Sequence, residues 1–354
     1  MVARADRLAV CLLVAAFPWG CSSDDTTAGV PAGPHVVGDA GASAAEGGGP
    51  AGGDASGSPD AGAPLTGEGI SAKHPGDVGI AGDPDVVFAD DFEGYGAVTD
   101  LDERWDNFFQ VAQTRIATEP ANVRAGARAL ELTLPQQGTE LSNAVQKILT
   151  TELDALYLRF YSKLESTFDV TGSSHNGGGI SAHYFQGNNA TPGVPANGTN
   201  KFLVEFECWR GETTDKSPGA LNVYIYHPEQ RSNYGDHFFP DGTVLPNTSI
   251  PGDFGPEFVS RPNLTPELGR WYSYEVMLKA NTPGMRDGRV TLWLDGEVIG
   301  DFPNLRLRDT ATLKIDRFNL SFHAGSNTKG PTKKWYDNVV AARSYIGPMV
   351  EPKL

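Results

Sequence analysis

The sequence predicts an all-β fold, a two-sheet antiparallel β-sandwich carried behind a disordered N-terminal tether. Three observations predict it. Long helical periodicity is nearly absent from the 354 residues. From Asp85 onward, short runs of alternating apolar and polar residues are broken by Gly, Pro, Asn and Asp. Between two such runs stands Asp295-Gly296, a hairpin turn in which glycine accepts the positive φ the turn requires.

The N-terminus reads as an export signal. Arg4 and Arg7 precede an unbroken apolar run over residues 8–17, and Gly20 precedes Cys21. A charged start, a short apolar stretch and a small residue before the cut describe a secretory signal peptide, here residues 1–20. The run is shorter than the roughly 20 apolar residues that span a bilayer. Gly20-Cys21-Ser22-Ser23 resembles a bacterial lipoprotein box, which implies lipidation of Cys21 and anchoring at the cell envelope, with Ser22 leaning toward the outer membrane. Ordinary cleavage near Gly20 is the alternative. Residues 21–84 are Gly, Ala, Ser, Pro and Asp with almost no large apolar side chain. Such a segment buries too little surface to offset its chain entropy and is expected to act as a flexible tether.

Residues 85–354 form the expected folded domain, long enough for one large core. Cys208 is its only cysteine, so it holds no internal disulfide. It carries 25 of the 28 basic and 34 of the 44 acidic residues, within a chain of net charge −16. An acidic domain without basic clusters argues against nucleic acid. The expected strands are 86–91, 129–134, 144–148, 156–164, 180–186, 202–209, 220–227, 271–279, 289–294, 297–299, 314–323 and 335–345. A dozen strands without helices imply two packed sheets. No internal repeat is visible. Residues 228–266, rich in aromatics and proline, read as a long loop.

Strand parity says where chemistry sits. In 202–209, Phe202, Val204, Phe206 and Cys208 share one face, and Glu205, Glu207 and Trp209 the other. In 156–163, Arg159, Tyr161 and Lys163 oppose Leu156, Leu158 and Phe160. In 220–227, Asn222, Tyr224 and Tyr226 oppose Leu221, Val223, Ile225 and His227. If these strands are neighbours, their polar faces join into an aromatic, charged surface suited to a polysaccharide. A merely half-exposed sheet would also turn polar residues outward, but it seldom needs the bulk of Trp209, Tyr161, Tyr224 and Tyr226.

The order of motifs resembles a known family. The runs FLVEFECWRG, GALNVYIYHPEQ and GRWYSYEVMLKANTPGMRDGRVTLWLDGEVI, with KKWYDNVVAARSYIG at the end, resemble the polysaccharide lyase 14-like group of alginate and fungal glucuronan lyases. The resemblance spans most of Phe88 to Gly347 and implies a concanavalin-A-like jelly roll. It implies β-elimination, in which a base removes the proton α to a uronate carboxyl group and an acid protonates the leaving oxygen. Tyr226 takes the acid or base role and Tyr224 positions. Asn222, His183 or His175 meets the carboxylate. Where the family carries a cleft lysine, Asn176-Gly177-Gly178-Gly179-Ile180 has none, and Glu205 and Glu207 stand where a basic residue is expected.

Two other readings use the same residues. Glu205 and Glu207 at i and i+2 project side by side, as paired carboxylates do in retaining glycoside hydrolysis. The face could also bind a polysaccharide without cleaving it. The expected partners are a polysaccharide and, through the lipid, a membrane; the chain is expected to be a monomer. No zinc spacing is present. Asp91 and Glu93 by the first strand and Asp337 in the last could hold a structural calcium ion if those strands pair, or could form a hydrogen-bonded acid cluster. His237 and His323 have no partner that the sequence names. The glycosylation sequons at Asn189, Asn197 and Asn247 carry no expectation.

Overall fold

The computed structural model describes residues 68–185, 193–211, 215–247 and 254–352. The signal peptide, Cys21, the tether as far as residue 67, the Asn189 sequon and part of the Asn247 sequon lie outside them. The strands are β1 (Val86–Asp90), β2 (Asn107–Phe109), β3 (Thr114–Ala117), β4 (Ala129–Leu134), β5 (Leu141–Leu153), β6 (Ala155–Leu164), β7 (Ser174–His175), β8 (Gly178–Ala182), β9 (Phe202–Trp209), β10 (Ala220–Tyr226), β11 (Asp236–Phe238), β12 (Val244–Leu245), β13 (Tyr272–Lys279), β14 (Gly288–Leu294), β15 (Glu297–Leu305), β16 (Ile315–Ala324) and β17 (Thr332–Ala342). Among the described residues there is no α-helix, only short 3-10 turns.

Two antiparallel sheets result. The first runs β15-β14-β13-β6-β17-β4-β3, with β1 also on β17. The second runs β12-β11-β10-β9-β8-β16-β5-β2, with β7 also on β16. One core lies between them, because alternate residues of each strand point inward. Leu156, Leu158 and Phe160 from β6 meet Phe202, Val204 and Phe206 from β9 and Phe318, Leu320 and Phe322 from β16. β1 and β17, the first and last strands, pair as expected, with Ala89 opposite Val340.

The predicted boundary at residue 85 is corrected. Residues 68–84 fold in short turns onto the outer face of the first sheet. There Ile70 and Ile80 pack with Ala89, Val340, Ala342 and Ile346. Composition hid this strap, since only a few apolar residues anchor it. Arg159 on β6 holds it from beneath. Fully buried, Arg159 donates to Ser71 Oγ (3.1 Å), to the Asp77 carboxylate and to the carbonyl of Asn338 (3.0 Å).

The strand expected over 180–186 ends at Ala182, where His183 turns to φ +51°. Before it, β7 and β8 are one strand interrupted at Asn176-Gly177. The Asn176 side chain replaces the missing ladder there, donating to the Cys208 carbonyl (2.8 Å) and accepting its N–H (3.1 Å). From the opposite sheet, Lys334 reaches through the core to the Asn176 carbonyl, and Tyr336 donates to that of Gly177 (2.8 Å). Gly177 is required by close approach, since a Cβ there would fall 1.8 Å from the Phe206 carbonyl oxygen.

Candidate functional site

The outer face of the second sheet gathers the chemistry. Across it Asn107, Gln146, Asn319, Gly179, Glu205, Tyr224 and His237 are successive cross-strand partners, one per strand from β2 to β11. Asn222 and Glu207 pair in the row on one side, and Tyr226 and Leu203 in the row on the other. β9 and β10 are therefore neighbours, as the sequence reading required, with their acids and phenols on one face. The interruption after β7 adds His175, which lies opposite His323.

These side chains lock together. His175 Nδ1 lies 2.9 Å from Glu207 Oε2, and its ring lies 4.7 Å from that of Tyr224. His237 stacks on Trp209 at 3.9 Å and donates from Nδ1 to Asn222 Oδ1 (3.0 Å). Ser321 donates its hydroxyl to Glu205 Oε1. The Tyr224 hydroxyl accepts the Gly235 N–H (2.9 Å). Tyr226 meets Tyr224 and Tyr184 edge to face, at 5.6 and 5.3 Å.

Electrostatics follow from burial. Desolvation pushes the Glu207 carboxyl up to about 7, against the pull of His175 and with a smaller push from Glu205. Desolvation, then the charge of His175, holds His237 and His323 well below the usual imidazole value. Neither carboxylate is an open anion, because Ser321 and His175 each occupy one oxygen.

Sequence reasoning missed several residues. Lys201 is fully buried one step before β9. By parity it belongs to the face of Leu203, Glu205 and Glu207. Its Nζ sits 4.6 and 4.7 Å from the ring centres of Tyr226 and Tyr184, and burial lowers its ammonium to about 8. Extending the alternation by one position would have found it. Gln146 and Asn319 are buried, and among the described residues neither side-chain amide atom of either has a hydrogen-bond partner; Ser181 Oγ has none there either. An unpaired buried amide costs roughly 1–3 kcal/mol, so two in register call for a further partner, a water or a ligand.

Other expectations are corrected. Arg159, Tyr161 and Lys163 lie on β6 in the first sheet, on its outer face. Arg159 holds the strap. The Tyr161 hydroxyl accepts the Met349 N–H (2.8 Å). Lys163 donates to Asn122 Oδ1 (2.9 Å) and lies over Trp335. Parity separates the faces of a strand but not which sheet the strand joins. His183 lies beyond the end of β8 and pairs with Glu152 (2.9 Å). His227, by contrast, lies on the core side as its strand parity predicts and pairs with Asp236 (2.9 Å).

The expected calcium ligands meet amide hydrogens instead. Asp337 Oδ2 accepts the N–H of Arg124 and Ala125, Glu93 Oε1 that of Ala127 and Arg128, and Asp91 Oδ1 that of Glu93. Amide hydrogens present positive dipole ends to these oxygens, and among the described residues the three side chains are not gathered as a metal-holding group.

The fold is a two-sheet jelly roll, similar to that of solved polysaccharide lyases. The particular likenesses are to alginate lyases. The alginate lyase Aly36B superposes with a TM-score of 0.53 at 19% identity, over 74% of this chain and 98% of that one. A variant of it with a lysine and a tyrosine replaced by alanine has been solved with an alginate tetrasaccharide. The marine PL-14 alginate lyase from Aplysia kurodai superposes with a TM-score of 0.51 at 13% identity, over 72% of this chain and 98% of that one. The endo-β-1,4-glucuronan lyase from the fungus Trichoderma reesei reaches 0.46 at 17% identity, over 73% and 95%. At these identities the likeness is one of fold. No protein-family model matches the chain, and no curated protein matches it by sequence.

Proposed function

We propose that the outer face of the second sheet is a polysaccharide cleft in which the chain cleaves a uronate polymer by β-elimination. The observation that carries this reading is the unpaired pair Gln146 and Asn319, buried in register with Glu205 and Tyr224 and one row from Tyr226. Their amide N–H groups would donate to a uronate carboxylate or to ring hydroxyls, with the rings of Tyr224 and Tyr226, each 3% exposed, beside them. Tyr226 exchanges the proton: its phenol oxygen takes the hydrogen from the carbon α to the carboxyl group or delivers one to the leaving oxygen. Lys201 beside it supplies positive charge as the enolate-like transition state forms. Tyr224, fixed by Gly235, orients the sugar. The new carbon–carbon double bond replaces the carbon–oxygen bond that breaks, and the proton balances on the leaving oxygen.

The fold's likeness to alginate lyases favours elimination over hydrolysis. The Glu205 and Glu207 pair favours hydrolysis only by spacing, since both carboxylates are buried and engaged. The export signal, the lipid on Cys21 and the tether complete the proposal, a monomer displayed at the cell envelope. Replacing Cys21 with Ser should move the protein from the membrane fraction to the soluble one.

The test is a polysaccharide panel with the purified chain, following absorbance at about 235 nm for elimination and reducing ends for any cleavage. New absorbance that disappears in Tyr226→Phe supports the reading. Reducing ends without absorbance would move the chemistry to Glu205 and Glu207. Retention on a polysaccharide column with neither signal would leave a binding module.

A further inference from the structure

We propose that His175, Glu205 and Glu207 bind one divalent transition-metal ion, zinc being the ion that this donor set suits best. One donor atom from each lies within 4.8 Å of the others, and all three residues are buried. The fold builds the group. Strand alternation turns Glu205 and Glu207 to the same side of β9, and the interruption at Asn176-Gly177 swings His175 against Glu207. Among the described residues no Lys or Arg forms an ion pair with either carboxylate. Two acids side by side in a buried floor repel each other, and a divalent ion between them removes that repulsion.

Two further observations point to a ligand. Glu207 Oε1 is buried and, among the described residues, has no hydrogen bond; His237 Nδ1, which donates to Asn222, lies 3.5 Å away. Beside Glu205, Gly179 lets these oxygens approach the backbone: a Cβ there would stand only 2.9 Å from Asn319 Oδ1, 3.3 Å from the Val204 carbonyl oxygen and 3.4 Å from Glu205 Oε2. The Asn319 oxygen has no partner, and the other Glu205 oxygen is the one that Ser321 holds. Unpaired oxygens thus border the same floor from two directions.

Imidazole nitrogen with carboxylate oxygen is a zinc-type donor set, and zinc holds such donors at about 2.0–2.2 Å. Its donors then stand closer together than 4.8 Å, a closure that carboxylate rotamers can make. Binding releases the proton shared by His175 Nδ1 and Glu207 Oε2. With His237 committed to Asn222, the remaining coordination positions fall to water or to a substrate oxygen. The ion's role rests on the lyase reading: placed beside Tyr224, it turns two acids that would repel a uronate into a site that attracts one. Its presence does not depend on that reading.

The experiment is calorimetric titration of zinc chloride into the chelator-stripped full chain, without substrate. Saturable binding of about one ion per chain is expected, weakened at least about tenfold in Glu207→Gln and in His175→Gln, as even supporting partners of metal sites cost that much. Asp91→Asn should bind as the parent does. If the ligand variants fail to fold, cobalt(II) bound to the parent chain decides, through visible absorption bands that imidazole and carboxylate ligation imparts. No saturable binding, or binding unchanged in both folded variants, overturns the site. Zinc binding without elimination keeps the site and sinks the lyase reading. Elimination by a chain that binds no zinc overturns the metal site alone.

Discussion

Removing the Asp77 carboxylate is expected to be among the most damaging single changes outside the core. Asp77 accepts from Nη1 and Nη2 of Arg159, and the two side chains are 7% and 0% exposed. In Asp77→Ala the guanidinium stays buried, hydrogen-bonded among the described residues only to Ser71 Oγ and the carbonyls of Asn338 and Gly347, with the Glu275 carboxyl, which burial pushes up to about 7, across the strand pair. Arg159 Nε already lacks a partner. Breaking a buried pair from one side costs roughly 3–5 kcal/mol, because an uncompensated charge remains. In a domain of this size each kcal/mol moves the melting temperature by about 2–4 °C. The expected fall is therefore of order 10 °C, read by thermal and guanidinium unfolding under circular dichroism. The double change Asp77→Ala/Arg159→Met should recover more than half of the loss, since it removes both charges. A chain beginning at Asp85 should fare worse than Asp77→Ala, because it also uncovers the surface that Ile70 and Ile80 bury. An Asp77→Ala protein within about 1 kcal/mol of its parent would refute the claim that the strap belongs to the fold.

Three further outcomes are expected. Lys201→Met should cut elimination by about 10²–10⁴ if the ammonium works with Tyr226, with circular dichroism unchanged; activity within a few-fold of the parent would remove it from the mechanism. Gln146→Met replaces an unpaired buried amide by an apolar side chain of similar shape, so it should raise stability by roughly 1–3 kcal/mol while weakening polysaccharide retention; a stability loss would show that the amide is satisfied in solution. Burial pushes the Glu275 carboxyl up from 4.5 to about 7, against the Ile346 and Gly347 N–H groups that bind it and the charge of Arg159. The folded chain therefore holds this proton more tightly than the unfolded one. The stabilisation is full below pH 4.5 and is lost as the pH rises through about 7. Unfolding free energies at pH 5 and pH 8 should differ less in Glu275→Gln than in the parent, by at least about 1.4 kcal/mol.

The strands that carry the site were legible because each is long and apolar throughout one face. Over Phe202–Trp209 and Ala220–Tyr226 the period of two is unbroken, so the outward set Glu205, Glu207, Asn222, Tyr224 and Tyr226 could be read residue by residue. The same rule applied to β6 separated its faces correctly yet joined the wrong partners, because sheet membership is a long-range property. β7, β11 and β12 are two or three residues long, too short for any period to show. That hid where His175 and His237 sit. Residues 68–84 were hidden differently: their composition is that of a linker, and they are ordered by what Arg159 and the first sheet offer them.

Glu205 and Glu207 show how far a sequence argument reaches at a functional site. Read alone, two acids on the substrate face oppose a uronate, and the opposition holds if they are open anions. Burial changes the premise. A carboxyl pushed up to about 7 and set against an imidazole can be protonated, paired or metal-bound at neutral pH, and each state presents a different charge to the cleft. With the proton in place the floor is close to neutral, with Lys334 acting on both acids from the core side and Lys201 lying over Tyr226. With a divalent ion in place the floor attracts acids outright. The side chains are the same in both cases; what differs is the occupant of the space between His175 and Glu207. For that reason metal binding without substrate, and elimination with and without metal, separate the alternatives that neither residue identity nor spacing could.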